Sequence, residues 1–167
     1  RDEQGQLKLI AGVSGELAYD GKSIDIVCVH VVKGDVGPTT GNIRFSGPVH
    51  IAGNVLPGFF VIAAGDIKVA AGVEAALLSS EKSVHVGQGI IGGGKAAVRA
   101  REDISAAFAE RVMLMAVRDI RLKNACLQSA VKCNGKLSLE SDKGHLVGGE
   151  VKSRHGTDLV NLGAKNG

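Results

Sequence analysis

In the stretch that begins at Gly41, GNIRFSGPVHIAGNVLPGFFVIAAGDIKVAAGVEAA, the aliphatic residues Ile43, Val49, Val55, Val61, Ile67 and Val73 recur every six residues. An interval that short, sustained without interruption, marks a structural repeat, and a repeat unit of this size buries its aliphatic side chain only by stacking on its neighbours. Gly-Asn and Gly-Asp pairs punctuate the run at Gly41-Asn42, Gly53-Asn54 and Gly65-Asp66. These residue types tolerate the left-handed backbone angles of tight corners. Short strands joined by tight corners and wound about one axis form a β-solenoid.

Beyond Val73 the interval loosens, but apolar-x-apolar triplets persist at Ile67-Lys68-Val69, Val84-His85-Val86, Ile104-Ser105-Ala106, Ile120-Arg121-Leu122 and Leu137-Ser138-Leu139, whose first residues lie 17, 20, 16 and 17 apart. Each interval is one coil. Two further apolar patches fall between successive triplets, as in Val73 then Leu78 and Ile90 then Val98, so each coil has three short strands. The strand period of two points the outer residues of each triplet inward and the middle one outward, which places Lys68, His85, Arg121 and Ser138 on the surface. Stacked about 4.8 Å apart, like residues form continuous aliphatic columns. The segment 96–117 has helix-forming composition, but Val98, Ile104 and Val112 keep the coil spacing and Ile120 continues it, which favours strands.

The fold predicted is all-β: a single-stranded right-handed parallel β-helix over 41–167, preceded by a β-rich segment over 1–40 that covers the first coil and its unpaired edge. Strict sixes between 43 and 73 pull toward the alternative, a left-handed hexapeptide β-helix. Unequal coils pull back, and parallel crossovers are right-handed in about 98% of cases. At 167 residues the chain is one domain's worth, and its 24 glycines beside 44% hydrophobic residues indicate many turns around a real core.

One stretch invites a different reading. GQGIIGGGKA, from Gly87 to Ala96, contains both G-x-G-x-x-G and G-x-x-x-x-G-K. A phosphate-binding P-loop needs Ser or Thr after the lysine to hold magnesium, and Ala96 stands there. A dinucleotide site needs an acid about 20 residues on; Asp103 comes too early and Asp119 too late. Both motifs also need a helix whose N-terminus meets the phosphate. The glycines are therefore read as corner and close-packing residues of one coil. GVSGE at 12–16 puts Glu16 where a nucleophile elbow requires Gly, and reads as a turn.

A net charge of +3 is too mild, and 3% aromatics too few, to argue for nucleic acid. Cys28, Cys126 and Cys133 are odd in number and form no C-x-x-C, so they predict neither a disulfide framework nor a zinc site, and fit a reducing cytoplasm. No apolar run of about 18 residues predicts membrane insertion. The chain opens on Arg1 and closes on NLGAKNG, which suggests a segment cut from a longer protein. His30, His50, His85, His145 and His155 are scattered, with His50 and His85 at outward strand positions. Asp66, Asp103 and Asp119 recur at one corner, which is turn chemistry. No catalytic, cofactor-binding or metal-ligating residue stands out. Basic residues at Lys95, Arg99, Arg101 and Arg121 lie in a mixed-sign region, yet a solenoid aligns outward side chains into ladders, and these four are the candidate basic face for an acidic protein partner.

Three stretches in order, KGDVGPTTGNIRFSGPVHIAGNVLPGFFVIAAGDIKVAAGVEAA, GIIGGGKAAVRAREDISAAFAERVMLMAVRDI and KGHLVGGEV, resemble the β-solenoid region of the flagellar assembly protein A (FapA) family. The resemblance runs roughly from Gly5 to the end. One departure is REDI, with Arg101-Glu102 before Asp103 where a Gly-Asp corner is usual. The resemblance implies a right-handed parallel β-helix, no enzymatic activity, no cofactor, a cytoplasmic bacterial protein, and a scaffolding or polar localisation role in flagellar biogenesis. It also implies protein partners, in some members a sugar-phosphotransferase component. Self-association through faces or open ends is expected beside these. The alternative function is a hexapeptide-type acyltransferase solenoid with a histidine base.

Overall fold

The computed structural model describes residues 15–19, 24–141, 144–159 and 161–162. All its regular structure there is β. Strands β1 (Gly15–Tyr19) and β2 (Ile24–Cys28) pair antiparallel as a hairpin. The remainder of 1–40 that was expected to cover the first coil lies largely outside the described residues, as does Gly12–Ser14 of the GVSGE stretch read as a turn; its Gly15 and Glu16 instead begin β1, held by pairing with Cys28 and Val27.

Parallel stacking begins at His30 and continues for about seven turns. The first coil carries β3 (His30–Val32) and β4 (Ile43–Phe45); the second, β5 (Val49–Ile51) and β6 (Phe60–Ala63); the third, β7 (Ile67–Val69), β8 (Val73–Glu74) and β9 (Leu77–Ser80). The fourth opens with β10 (Val84–Val86), after which the strands lengthen and run through corners: β11 (Gly89–Ala100), β12 (Ile104–Ala116) and β13 (Ile120–Cys133). Then follow β14 (Leu137–Leu139), β15 (His145–Ser153), β16 (Thr157–Asp158) and β17 (Asn161–Leu162). The helix considered for 96–117 is absent. Those residues fall in β11 and β12 and the corners at 101–103 and 117, with the strands paired in parallel from Ala96↔Val112 to Ala100↔Ala116.

Three faces enclose one core. Face A stacks β3, β5, β7, β10, the start of β12 and of β13, β14 and β16. Face B begins as single bridges, Val36↔Val55↔Val73, and continues through Ile90, Ala109, Cys126 and Leu146. Face C stacks β4, β6, β9 and the ends of β11, β12, β13 and β15. The six-residue recurrence is thus one inward residue per face: Ile43 on C, Val49 on A, Val55 on B, and again Val61, Ile67 and Val73. The columns are mainly aliphatic, with Cys126 in that of face B. Val49, Ile67, Val84, Ile104, Ile120 and Leu137 form one, fully buried from end to end. Burying a side chain of this size contributes about 1.5–3 kcal/mol, and a closed column collects that at every coil.

A second column holds the corner before face A. Asp66 Oδ1 accepts from the Ser83 N–H at 3.0 Å, Ser83 Oγ from the Asp103 N–H at 3.4 Å, Asp103 Oδ1 from the Asp119 N–H at 3.0 Å, and Asp119 Oδ1 from the Lys136 N–H at 2.8 Å. Each short side chain satisfies the backbone donor one coil on, so the recurring aspartates are turn chemistry, as their spacing predicts. The REDI departure does not disturb this corner. The Glu102 N–H donates to the Lys82 carbonyl and the Arg118 N–H to that of Glu102, both at 3.0 Å, so the backbone stacks as it does elsewhere.

Two substitutions separate the columns. Asp119→Ala should lower the urea-unfolding free energy by about 1.5–3 kcal/mol, the usual loss for a hydrogen bond to a charged group, whereas Asp119→Asn should retain most of it. Ile120→Asp, which buries an unpaired charge between coils, should abolish cooperative unfolding altogether.

Candidate functional site

The glycine stretch is resolved by register. Ile91 pairs with Glu110 and Ala96 with Val112, so the four residues Gly92 to Lys95 stand opposite Arg111 alone. Three residues are therefore inserted at the corner between faces B and C, and they bulge outward. Gly93 (φ 55°) and Gly94 (φ 78°) turn the bulge in left-handed geometry, in open space. Gly89 and Gly92 are needed for another reason: a Cβ on Gly89 would overlap the Phe108 ring, and one on Gly92 the Arg111 carbonyl oxygen of the next coil. The stretch is corner and close-packing glycine, and no helix follows it to present N–H groups to a phosphate.

The other chemistry-bearing residues are spread out. His50 and His85 take outward places on face A, His145 lies on face B, and His155 is at a corner after β15. His85 Nδ1 is 2.8 Å from Ser105 Oγ, its counterpart one coil on, so its ring partner is a hydroxyl and not a carboxylate. Among the described residues no three His, Cys, Asp or Glu side chains gather as metal ligands. Cys126 is buried, and burial pushes its thiol from 9.0 up to about 11, against a smaller opposing effect of the Ser129 hydroxyl. Cys133 is raised by burial and by the charge of Asp119. A thiol held protonated in an apolar column is packing, not a nucleophile. Glu150, fully exposed, is held below its ordinary value by its hydrogen bond to Lys152.

The four expected partner-binding cations are not brought to one face. Lys95 ends the bulge at the B–C corner, and Arg99 is on face C. Arg101 sits at the next corner, paired with Glu81 at 2.6 Å, and Arg121 is on face A, 3.3 Å from Asp119. What the sequence reading missed is that the outward columns differ by face. On face A the column runs His50, Lys68, His85, Ser105, Arg121 and Ser138. On face B it runs Glu74, Ile91, Glu110, Leu127 and Val147. On face C it runs Arg44, Ile62, Ser79, Arg99, Met115, Lys132 and Lys152. The signal was present one residue after each inward position, but it needed the inter-coil register to be seen. Shallow grooves follow the faces, one of about 730 Å³ on face A beside Lys68, His85 and Arg121, and one of about 800 Å³ on face C beside Arg44, Phe60, Leu77 and Lys95.

A stacked parallel solenoid with a filled interior and outward ladders defines the class: a β-solenoid repeat protein. A family model described as the Flagellar Assembly Protein A beta solenoid domain (FapA) matches residues 28–167. The chain belongs to this family, as its three ordered stretches lead one to expect. No curated protein and no solved structure matches it. No helix among the described residues is long and apolar enough to cross a membrane.

Two measurements bear on the site. Gly92→Ala should cost at least about 2–3 kcal/mol, since the clash is with backbone, while Lys95→Ala should stay within about 0.5 kcal/mol of wild type. A thiol reagent near neutral pH should label Cys28, which is exposed, and leave Cys126 untouched until the protein unfolds. Because the folded pKa of Cys126 lies above 9.0, its contribution is intact below pH 9 and is lost as pH rises toward about 11. Thermal melts across that window should therefore fall more steeply for wild type than for Cys126→Val.

Proposed function

We propose that this domain is a non-enzymatic scaffold in flagellar assembly, acting in the cytoplasm, whose faces hold protein partners in fixed register. The observation that carries this reading is the disposition of side chains. The interior is occupied by apolar columns, while the described acids, bases and imidazoles stand at outward or corner positions spread along the axis, and no three His, Cys, Asp or Glu among them gather. Membership of the FapA family supports the setting in flagellar assembly. A sugar-phosphotransferase component is among the partners proposed. A scaffold of this kind uses the spacing of its ladders, since the coils set outward side chains at a regular step along each face.

A hexapeptide-type acyltransferase is the competing reading, kept alive by the strict six-residue spacing between Ile43 and Val73 and by His85 beside its groove. Titration calorimetry of the folded chain with acetyl-coenzyme A and with ATP separates them. The scaffold reading expects no binding heat from either ligand up to millimolar concentration, and Lys95→Ala should not alter that result. Micromolar binding of either ligand would overturn it.

A further inference from the structure

We propose that face B of one copy of this chain docks on face C of a second copy, so that the domain associates side to side. The first observation is complementarity. Read along the axis, face B presents Glu74, Ile91 and Glu110 in successive coils, and face C presents Arg99, Met115 and Lys132. Acid, apolar, acid faces base, apolar, base. Both columns climb by the same inter-strand step, so when Ile91 meets Met115 both glutamates meet cations without adjustment. The pattern is symmetrical about Ile91 and Met115, so the match holds whichever way the second copy runs.

The second observation is that ion pairs among the described residues do not take up these charges, although Lys132 acts at a distance on Glu150, whereas several charges elsewhere are paired. Arg101 pairs with Glu81, Arg118 with Glu102 and Asp103, Arg121 with Asp119, and Lys136 with Asp158. Glu74, Glu110, Arg99 and Lys132 form no ion pair or hydrogen bond of their side chains among the described residues. Third, the two faces expose apolar area that water would leave. Ile91 is 45% exposed on face B; beside the cation column of face C, Leu77 is 45% and Met113 42% exposed. A face that is basic and apolar, next to one that is acidic and apolar on the same molecule, makes a contact between unlike surfaces. Such a contact does not close on itself in a dimer, and it continues into a ring or an open row.

The proposal goes beyond the scaffold reading and does not need it. Acetyl-coenzyme A or ATP binding tests that reading alone, and the association state tests this one alone. Sedimentation velocity and light scattering on the folded chain should show a mass that rises with concentration, with dissociation constants of about 10–100 μM. Raising salt from about 50 mM to about 500 mM should lower that mass, because the pairs are exposed. The double variants Glu74→Lys/Glu110→Lys and Arg99→Glu/Lys132→Glu, checked by thermal melts for an intact fold, should each weaken association at least about tenfold. Mixing the two should restore it, since the reversed columns attract each other. Lys68→Glu/Lys123→Glu on face A should leave the mass unchanged. A wild-type chain that stays monomeric at about 100 μM in low salt would overturn the proposal. So would association indifferent to both double variants, failure of the mixture to reassemble, or equal loss from the face A variant.

Discussion

Everything in this molecule depends on the main-chain hydrogen bonds between one coil and the next. They run in parallel register along all three faces, and they force each residue to lie over its equivalent from the coil before. Once that is imposed, the side chains have no independent choice of neighbour. An inward valine meets another aliphatic residue, as Val98 meets Leu78 and Leu114, an aspartate meets the N–H of the next corner, and an outward charge meets whatever charge or apolar group the adjacent coil puts there. The core, the corner ladder and the sidedness of the surface are three consequences of one constraint.

The constraint explains how the same sequence spells both stability and surface chemistry. Inward positions hold mainly aliphatic or small residues, because Val84, Ile104 and Ile120 each sit between two like neighbours with no route to water. Outward positions are freer, and there the faces diverge. Face A collects imidazoles and cations, face B acids with aliphatics, face C cations with aliphatics. Surface ion pairs of the kind at Arg101 and Glu81 contribute at most about 1 kcal/mol each, so this sorting has little to do with holding the fold. It is available for recognition.

The inward columns were legible from the sequence because burial repeats at fixed intervals: six residues near Ile43 to Val73, then 16 to 20 per coil. Asp66, Asp103 and Asp119 were legible as corner residues for the same reason. The glycine stretch was legible as corner material through what it lacked, a hydroxyl after Lys95. Its three-residue insertion was not, because a bulge changes the register only relative to the next coil. The basic candidates were read as one ladder although Arg99 and Arg121 lie on different faces. Sequence proximity gives no face when coil lengths vary, and only the pairing Arg99↔Met115 and Ile120↔Leu137 assigns them.

The bulge at Gly92–Lys95 has a consequence for how such a protein can diverge. The columns on both sides of it stay aligned, with Ile91 opposite Glu110 before it and Ala96 opposite Val112 after it. Length added there changes no address elsewhere in the stack. That corner is a splice point, where evolution or an engineer can graft a new loop onto a rod whose other storeys never register the insertion.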